Sequence, residues 1–324
     1  LGGGLLNLVI GTRGSALALW QAEHVRERLL ELPGSPVESV ELKIIKTRGD
    51  AILDVTLSKV GGKGLFVKEL EVALLEGDVD LAVHSLKDMP AIQPEGLELT
   101  AYPVRADPRD AIALREGVKG GLEALTEGAV VGTSSLRRQA QLLALRPDLK
   151  VVPIRGNVQT RLRKLDEGVE GMSATLLAVA GLQRLKLDAR ISEALDVGSM
   201  IPAVGQGALA VQTRSNDASV RGVVERLDDA QTRSAVLAER AFLARLEGGC
   251  QVPIAGHATL DGEVVRLVGF VGTPDGAKAL CDEISGPVGG EVGLGEQLAD
   301  RLLARGAAEI LAAYAGSTEG GPRD

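Results

Sequence analysis

The stretch LNLVIGTRGSALALWQAEHVRERLLEL (residues 6–32) carries the reading of the fold. Leu6 to Thr12 is a short apolar run of strand type. From Ala16 to Leu32 the apolar positions recur at helical spacing until Pro33 and Gly34 stop them. Between the two lies a polar junction holding Gly-Thr and Ser15. The phrase returns later, since IGTRGS (10–15) and VGTSSL (131–136) both place Gly-Thr and a Ser between strand and helix. At such a junction the unbonded N–H groups of the first helical turn and the helix dipole favour an anion. The repeat predicts two similar domains facing one another, each with an anion site at its edge.

Working outward, Val37 to Lys46 and Val79 to Val83 read as strands, with Phe66 to Leu75 a helix between them. After the DPRD turn (107–110) the pattern restarts. Ala129 to Gly132 and Val151 to Ile154 read as strands, and Leu136 to Leu145 and Val158 to Asp166 as helices. This alternation through roughly the first 215 residues is the signature of parallel α/β layers. From about 228 the texture changes to a long helical stretch (Thr232 to Leu246), hairpin signals at DG (261–262) and PDG (274–276), and a closing helix (Glu291 to Arg305). A small antiparallel sheet with helices is expected there, and the tail STEGGPRD reads as disordered.

At 324 residues the chain suits two or three domains, and 45% hydrophobic residues can fill their cores. Six aromatic residues offer little platform for stacked bases, and a formal charge of −8 repels nucleic acid and anionic membranes. Cys250 and Cys281 are too few for a disulfide framework, and His24, His84 and His257 lack metal-ligand spacing, so no metal is expected. No apolar run approaches the roughly 20 residues of a membrane span. The opening LGGGLLNLVI, without a basic start or a small-residue cleavage site, reads as a strand rather than a signal. The expectation is a cytoplasmic monomer that binds neither nucleic acid nor membrane.

Basic residues gather where strands become helices: Arg13, Lys87, Arg137, Arg138, Arg155, Arg161 and Arg184. Each alone reads equally well as a solvated charge. As a group at strand C-terminal ends they suit a ligand crevice, and arginine forks that converge there imply a ligand with many carboxylates. Asp88, after Lys87, reads either as a turn-forming Asp before Met89-Pro90 or as a carboxylate that stabilises a cationic intermediate and shuttles protons. Cys250, in a Gly-Gly-Cys-Gln loop, reads as a small buried hydrophobe or as an accessible attachment point. VGGKG (60–64) lacks the first glycine and the hydroxyl residue of a phosphate loop, and Thr47 to Gly64 fits a mobile lid instead.

The blocks TRGSALALWQA, VGGKGLFVKELEVALL, HSLKDMP, GTSSLRRQ, RGNVQTRL, LAVAGLQRL, PAVGQGAL and LEGGCQVP occur in order between about residues 9 and 256. Together they resemble the signature blocks of the porphobilinogen deaminase (hydroxymethylbilane synthase) family. The resemblance implies two α/β domains similar to type II periplasmic binding proteins plus a small C-terminal α+β domain. The division would be 1–107 with 206–226, 108–205, and 227–324. It also implies a transferase of tetrapyrrole (heme) biosynthesis. Four porphobilinogen molecules would be joined head to tail with loss of ammonia, and water would release hydroxymethylbilane. A dipyrromethane cofactor, made from the substrate, would be held on Cys250 by a thioether. Asp88 would be the catalytic acid, and Arg13, Ser15 and Lys63 would bind substrate. Lys87, Thr133, Ser134, Ser135, Arg137, Arg138, Arg155, Asn157, Arg161, Arg184 and Gln206 would hold the cofactor.

The segment GVEGMSATLLAVAG (168–181) departs from the family pattern, with a longer link and Ser173 near the place where an Asp would open the strand. Two other readings fit the same layers: a noncatalytic solute-binding protein, which has no use for Cys250 on a third domain, and an enzyme for a different polycarboxylate.

Overall fold

The computed structural model describes residues 5–47, 67–246 and 252–315. Strands β1 (Leu6–Thr12), β2 (Val37–Ile44), β3 (Leu81–Ser85) and β4 (Leu97–Ala101) come first. They are followed by β5 (Asp110–Leu114), β6 (Val130–Gly132), β7 (Lys150–Val152), β8 (Met172–Ala178) and β9 (Glu193–Ala194). Then come β10 (Leu209–Arg214), β11 (Ile254–Asp261), β12 (Val264–Gly272) and β13 (Ala279–Pro287). The first four helices are α1 (Ala16–Glu31), α2 (Lys68–Leu75), α3 (Leu136–Leu145) and α4 (Val158–Asp166). After them come α5 (Val179–Arg184), α6 (Ala218–Val224), α7 (Ala230–Arg245), α8 (Glu291–Leu302) and α9 (Ala308–Ala315).

Two compact units form. The first takes the described residues up to Ala106 together with Gly207–Arg233, and the second takes Asp107–Gln206 and the described residues from Ser234 onward. In the first unit the strand order is β2-β1-β3-β10-β4, with β1 parallel to β2 and β3, and β10 antiparallel to β3 and β4. Helix α1 makes the crossover that a parallel pair requires. It buries Ala18, Gln21, Ala22, Val25 and Leu29, a stripe at three- and four-residue spacing. Its Ala22, Val25 and Leu29 pack with Leu8, Ile10, Leu81, Val83 and Val211 from the sheet.

In the second unit the sheet runs β7-β6-β8-β5-β9, with β6 parallel to β7 and β8, and β5 antiparallel to β8 and β9. The two orders follow one plan: first strand between second and third, then an antiparallel strand contributed by the other pass of the chain. The fold is therefore mixed α/β with two like sheets. Strand β7 ends two residues short of the expected Ile154, because Pro153 has no N–H to give the ladder.

The second unit also holds the antiparallel sheet β11-β12-β13. Asp261 pairs with Val264 across the turn expected from the DG signal, and Gly262 takes φ 58°, the left-handed value that turn needs. Phe242 of α7 and Leu298 of α8 fill its core with Leu267 and Val271. Phe270 and Ala255 of this sheet pack with Ala140 of α3 and Ile201. Gly276, in the β12–β13 turn, lies so close to α3 that a Cβ there would stand 2.5 Å from the Ala144 backbone nitrogen. The closing helix stops earlier than expected. After Leu302 the chain widens into a π turn at Leu303–Ala307, where Gly306 has φ 101°, before α9 resumes. No helix among the described residues is long and apolar enough to cross a membrane.

Candidate functional site

In the first unit, β3 carries the chain out of a buried layer, Leu81 to His84, directly into a 3-10 turn over Leu86–Asp88. Leu86 and Met89 are buried on either side of the turn, and the Leu86 N–H donates to Ala208 O at 3.1 Å. Gln21 Nε2 of α1 donates to Ser85 Oγ at 2.8 Å. These contacts hold the turn while leaving Lys87 half-buried and Asp88 exposed. Among the described residues nothing hydrogen-bonds or ion-pairs with the Asp88 carboxylate. A carboxylate on a fixed turn with its oxygens unengaged is suited to meet a cation or a proton.

The repeated phrase becomes a repeated cap. Ser15 accepts from the Ala18 N–H at the start of α1, and Ser135 accepts from the Arg138 N–H at the start of α3. Asn157 does the same for α4 through the Thr160 N–H at 2.8 Å. Thr133 is buried and accepts from the Ser135 N–H at 3.2 Å, while exposed Ser134 donates to Ile154 O at 2.8 Å. Three of the polar residues picked out in the sequence thus cap helices whose first turns are where an anion would bind.

The arginines divide into two sets. Arg137 and Arg138, on the first turn of α3, are buried at 4% and 6% exposure and share one carboxylate, Asp110, which is fully buried at the start of β5. Arg137 Nη1 donates to Asp110 Oδ2 at 2.6 Å and to Ile201 O at 2.7 Å, and its Nη2 reaches Asp110 Oδ1 at 3.1 Å. Arg138 Nε donates to Asp110 Oδ1 at 2.9 Å and Nη1 to Leu176 O at 2.8 Å. Gln206 closes the ring, donating to Asp110 Oδ1 at 3.0 Å and Pro108 O at 2.7 Å. Burial alone would raise the Asp110 pKa, but the two guanidiniums and the hydrogen bonds from Arg137 and Gln206 outweigh it and hold the carboxyl well below the usual range. Burial in turn lowers the Arg138 pKa, opposed by Asp110 and reinforced by neighbouring Arg137. Two cations on one anion leave the trio with a surplus positive charge beside a helix N-terminus.

The second set is less enclosed. Arg13 and Arg155 are half-buried on the loops after β1 and β7. Arg161 Nε donates to Gly156 O at 2.8 Å, and Lys164 Nζ donates to Arg155 O at 3.2 Å, bracing the loop that carries Arg155 and Asn157. Arg184, the last residue of α5, has its pKa pushed down to about 10 by burial and stays charged at neutral pH. The atypical link forms a 3-10 turn at Val169–Gly171 in which Glu170 takes φ 55°, and β8 opens at Met172 with Ser173 next. Lys63, Cys250 and the lid expected at 47–64, beyond Thr47, lie outside the described residues.

Asp110 is the functional candidate that sequence reasoning passed over. DPRD has the composition of a turn, yet its last residue opens the strand DAIAL, all five residues of which are buried. A charge at the head of an otherwise apolar strand was the available signal. His84 and Gln212, also unassigned, form a buried contact at 3.0 Å under the Asp88 turn.

Two family models match the chain. The one described as porphobilinogen deaminase, dipyromethane cofactor binding domain, matches residues 8–222, and the one described as porphobilinogen deaminase, C-terminal domain, matches 234–304. A porphobilinogen deaminase of Pelobacter propionicus is 54% identical over 304 residues, spanning 94% of this chain and 96% of the relative. The porphobilinogen deaminase of Syntrophotalea carbinolica is 53% identical over 306 residues, 94% of this chain and 95% of that protein. Among solved structures, a TRAP periplasmic solute binding protein from Ochrobactrum anthropi aligns at TM-score 0.40 and 12% identity, over 74% of this chain and 76% of that one. The chain belongs to the porphobilinogen deaminase family.

Proposed function

We propose that this chain is a hydroxymethylbilane synthase, a transferase that joins four porphobilinogen molecules head to tail with release of ammonia and hydrolyses the product from a covalent dipyrromethane primer. The observation that carries the reading is the buried Asp110–Arg137–Arg138 trio, whose surplus positive charge sits at the capped start of α3. Each pyrrole of such a chain brings two carboxylates, and a surplus buried cation is stabilised by an anionic ligand.

The residues present fit a dipyrromethane. Arg137, Arg138 and Arg155 would face its carboxylates, Ser135 and Asn157 would orient them toward the first turns of α3 and α4, and Cys250 would hold the group through Sγ. When bound, the dipyrromethane supplies a pyrrole with a free α-carbon as the acceptor. Arg13, Ser15 and Lys63 would bind the acetate and propionate arms of incoming porphobilinogen, and Lys87, Thr133, Ser134, Arg161, Arg184 and Gln206 would complete the surroundings of the cofactor. Asp88 acts on the substrate itself. As the C–N bond of porphobilinogen breaks and ammonia leaves, positive charge develops on the pyrrole, and the Asp88 carboxylate stabilises it. The same oxygens then take the proton released when the new C–C bond forms.

We read the third sheet with α7 to α9 as a separate domain (227–324) bearing the cysteine, which the match at 234–304 supports. A net charge of −8 and six aromatic residues support a protein that binds no nucleic acid, and two cysteines suit a reducing cytoplasm. The monomeric state expected from the sequence remains part of this reading. The test is intact mass: the purified protein is expected to exceed its sequence mass by two pyrrole units and to colour with acidic aldehyde reagents, and Cys250→Ser should lose both. An active protein without added mass would refute attachment.

A further inference from the structure

A chain of side-chain hydrogen bonds runs from the buried pair His84 and Gln212 through half-buried Gln93 to the backbone just past the Asp88 turn. His84, in β3, is neutral because burial brings its pKa down to about 4, and its Nε2 lies 3.0 Å from Gln212 Oε1. An amide oxygen only accepts, so the imidazole Nε2–H is the donor. Gln212 Nε2 donates in turn to Gln93 Oε1 at 2.9 Å, and Gln93 Nε2 donates to Pro90 O at 3.0 Å. Gln212 Nε2 also stands 3.5 Å from Glu71 Oε1 of α2. Every step has one direction, from the sheet outward, and it ends on the carbonyl two residues past Asp88.

Gln212 is fully buried on β10 between β3 and β4, a place where an apolar side chain would fill the volume without desolvating an amide. Both ends of that amide are engaged, so the polar residue has a structural destination rather than a gap to fill. The turn is already held at its entry by Gln21 on Ser85 and by Ala208 O on the Leu86 N–H. The amide chain holds its exit at Pro90. We propose that Gln93 and Gln212 are positioning residues that fix the Asp88 turn from behind, so that the carboxylate keeps its place as charge develops on the substrate.

The proposal rests on Asp88 being the group that meets porphobilinogen, and the experiment separates the two ideas. Gln93 is half-buried at the surface end of the chain, so Gln93→Met removes the last two hydrogen bonds at similar volume. The full-length, cofactor-loaded protein is compared with Gln93→Met and Asp88→Asn for steady-state kinetics and single-turnover ammonia release. Misplacing a reacting group costs roughly ten- to a hundredfold in rate. Gln93→Met is expected to lose that much in kcat with KM and cofactor mass unchanged, and Asp88→Asn to lose nearly all ammonia release. Gln93→Met with unaltered kcat, or with kcat and KM falling together, overturns the positioning role while a dead Asp88→Asn leaves the Asp88 reading standing. A normal Asp88→Asn overturns the Asp88 reading itself. Gln93→Glu, which still accepts from Gln212 but presents a carboxylate to Pro90 O, gives a second variant with the same expectation, and normal kcat in it also overturns the proposal.

Discussion

Replacing Asp110 by Asn should unfold the second unit more readily than any surface charge change would. The substitution keeps size and shape but leaves Arg137 and Arg138, 4% and 6% exposed, facing each other without the anion that both now share. Removing one partner of a buried ion pair costs about 3–5 kcal/mol, because the cost is the stranded charge rather than the lost contact. Two guanidiniums are stranded here, and Gln206 loses a charged acceptor as well, so the upper part of that range is expected. The pH dependence follows from the sign of the shift. A carboxylate whose folded pKa is depressed contributes stability above its unfolded pKa of about 3.9 and loses it only as pH falls below that value. The deficit of Asp110→Asn should therefore be constant from pH 5 to 8 and shrink in acid. Urea unfolding followed by circular dichroism at pH 5, 7 and 8, on protein with matched cofactor content, measures it. A deficit under about 1 kcal/mol would refute the reasoning, since that is the worth of an exposed pair.

Arg137→Lys keeps the charge but cannot span Asp110 and Ile201 O with a planar fork, so it should fail in cofactor assembly or early chain extension; intact mass and product analysis check it, and normal assembly would count against the forked-contact idea. Asp88→Glu, which moves the carboxylate by one methylene, should retain slow turnover, whereas Asp88→Asn should bind porphobilinogen and barely release ammonia in a single turnover. His84 supplies a second pH signature. Its folded pKa of about 4 lies below the free value of 6.5, so the unfolded chain binds the extra proton between those values and stability falls as pH drops through that window. The full loss is about 3 kcal/mol at 1.36 kcal/mol per unit; His84→Gln should flatten the urea-midpoint profile between pH 6.5 and 4, and an unchanged slope would contradict the buried neutral imidazole.

What was legible in the sequence was local. The helices at 136–145 and 158–166 and the strand at 6–12 match their expected bounds residue for residue, because period, caps and stops act within a turn or two of chain. The shared Gly-Thr-Ser phrase announced two junctions of one kind, and both became strand-to-helix turns with a serine cap. The blocks around Asp88 and Cys250 marked where chemistry would sit without showing what holds it there. The partners of those blocks were beyond local reading. Asp110 meets Arg137 27 residues away and Gln206 96 residues away, and His84 meets Gln212 across 128 residues. Such pairs exist only once β10 lies against β3 and β5 against β8, with Ala210 opposite His84 and Asp110 opposite Ala178. Sequence alone carried the strand at 6–12, the helices at 136–145 and 158–166 and the resemblance to the family, since hydrophobic period and capping are written in neighbouring residues. The tertiary structure decided which charges are buried together, because sheet register fixes long-range pairing and burial sets the strength of each pair.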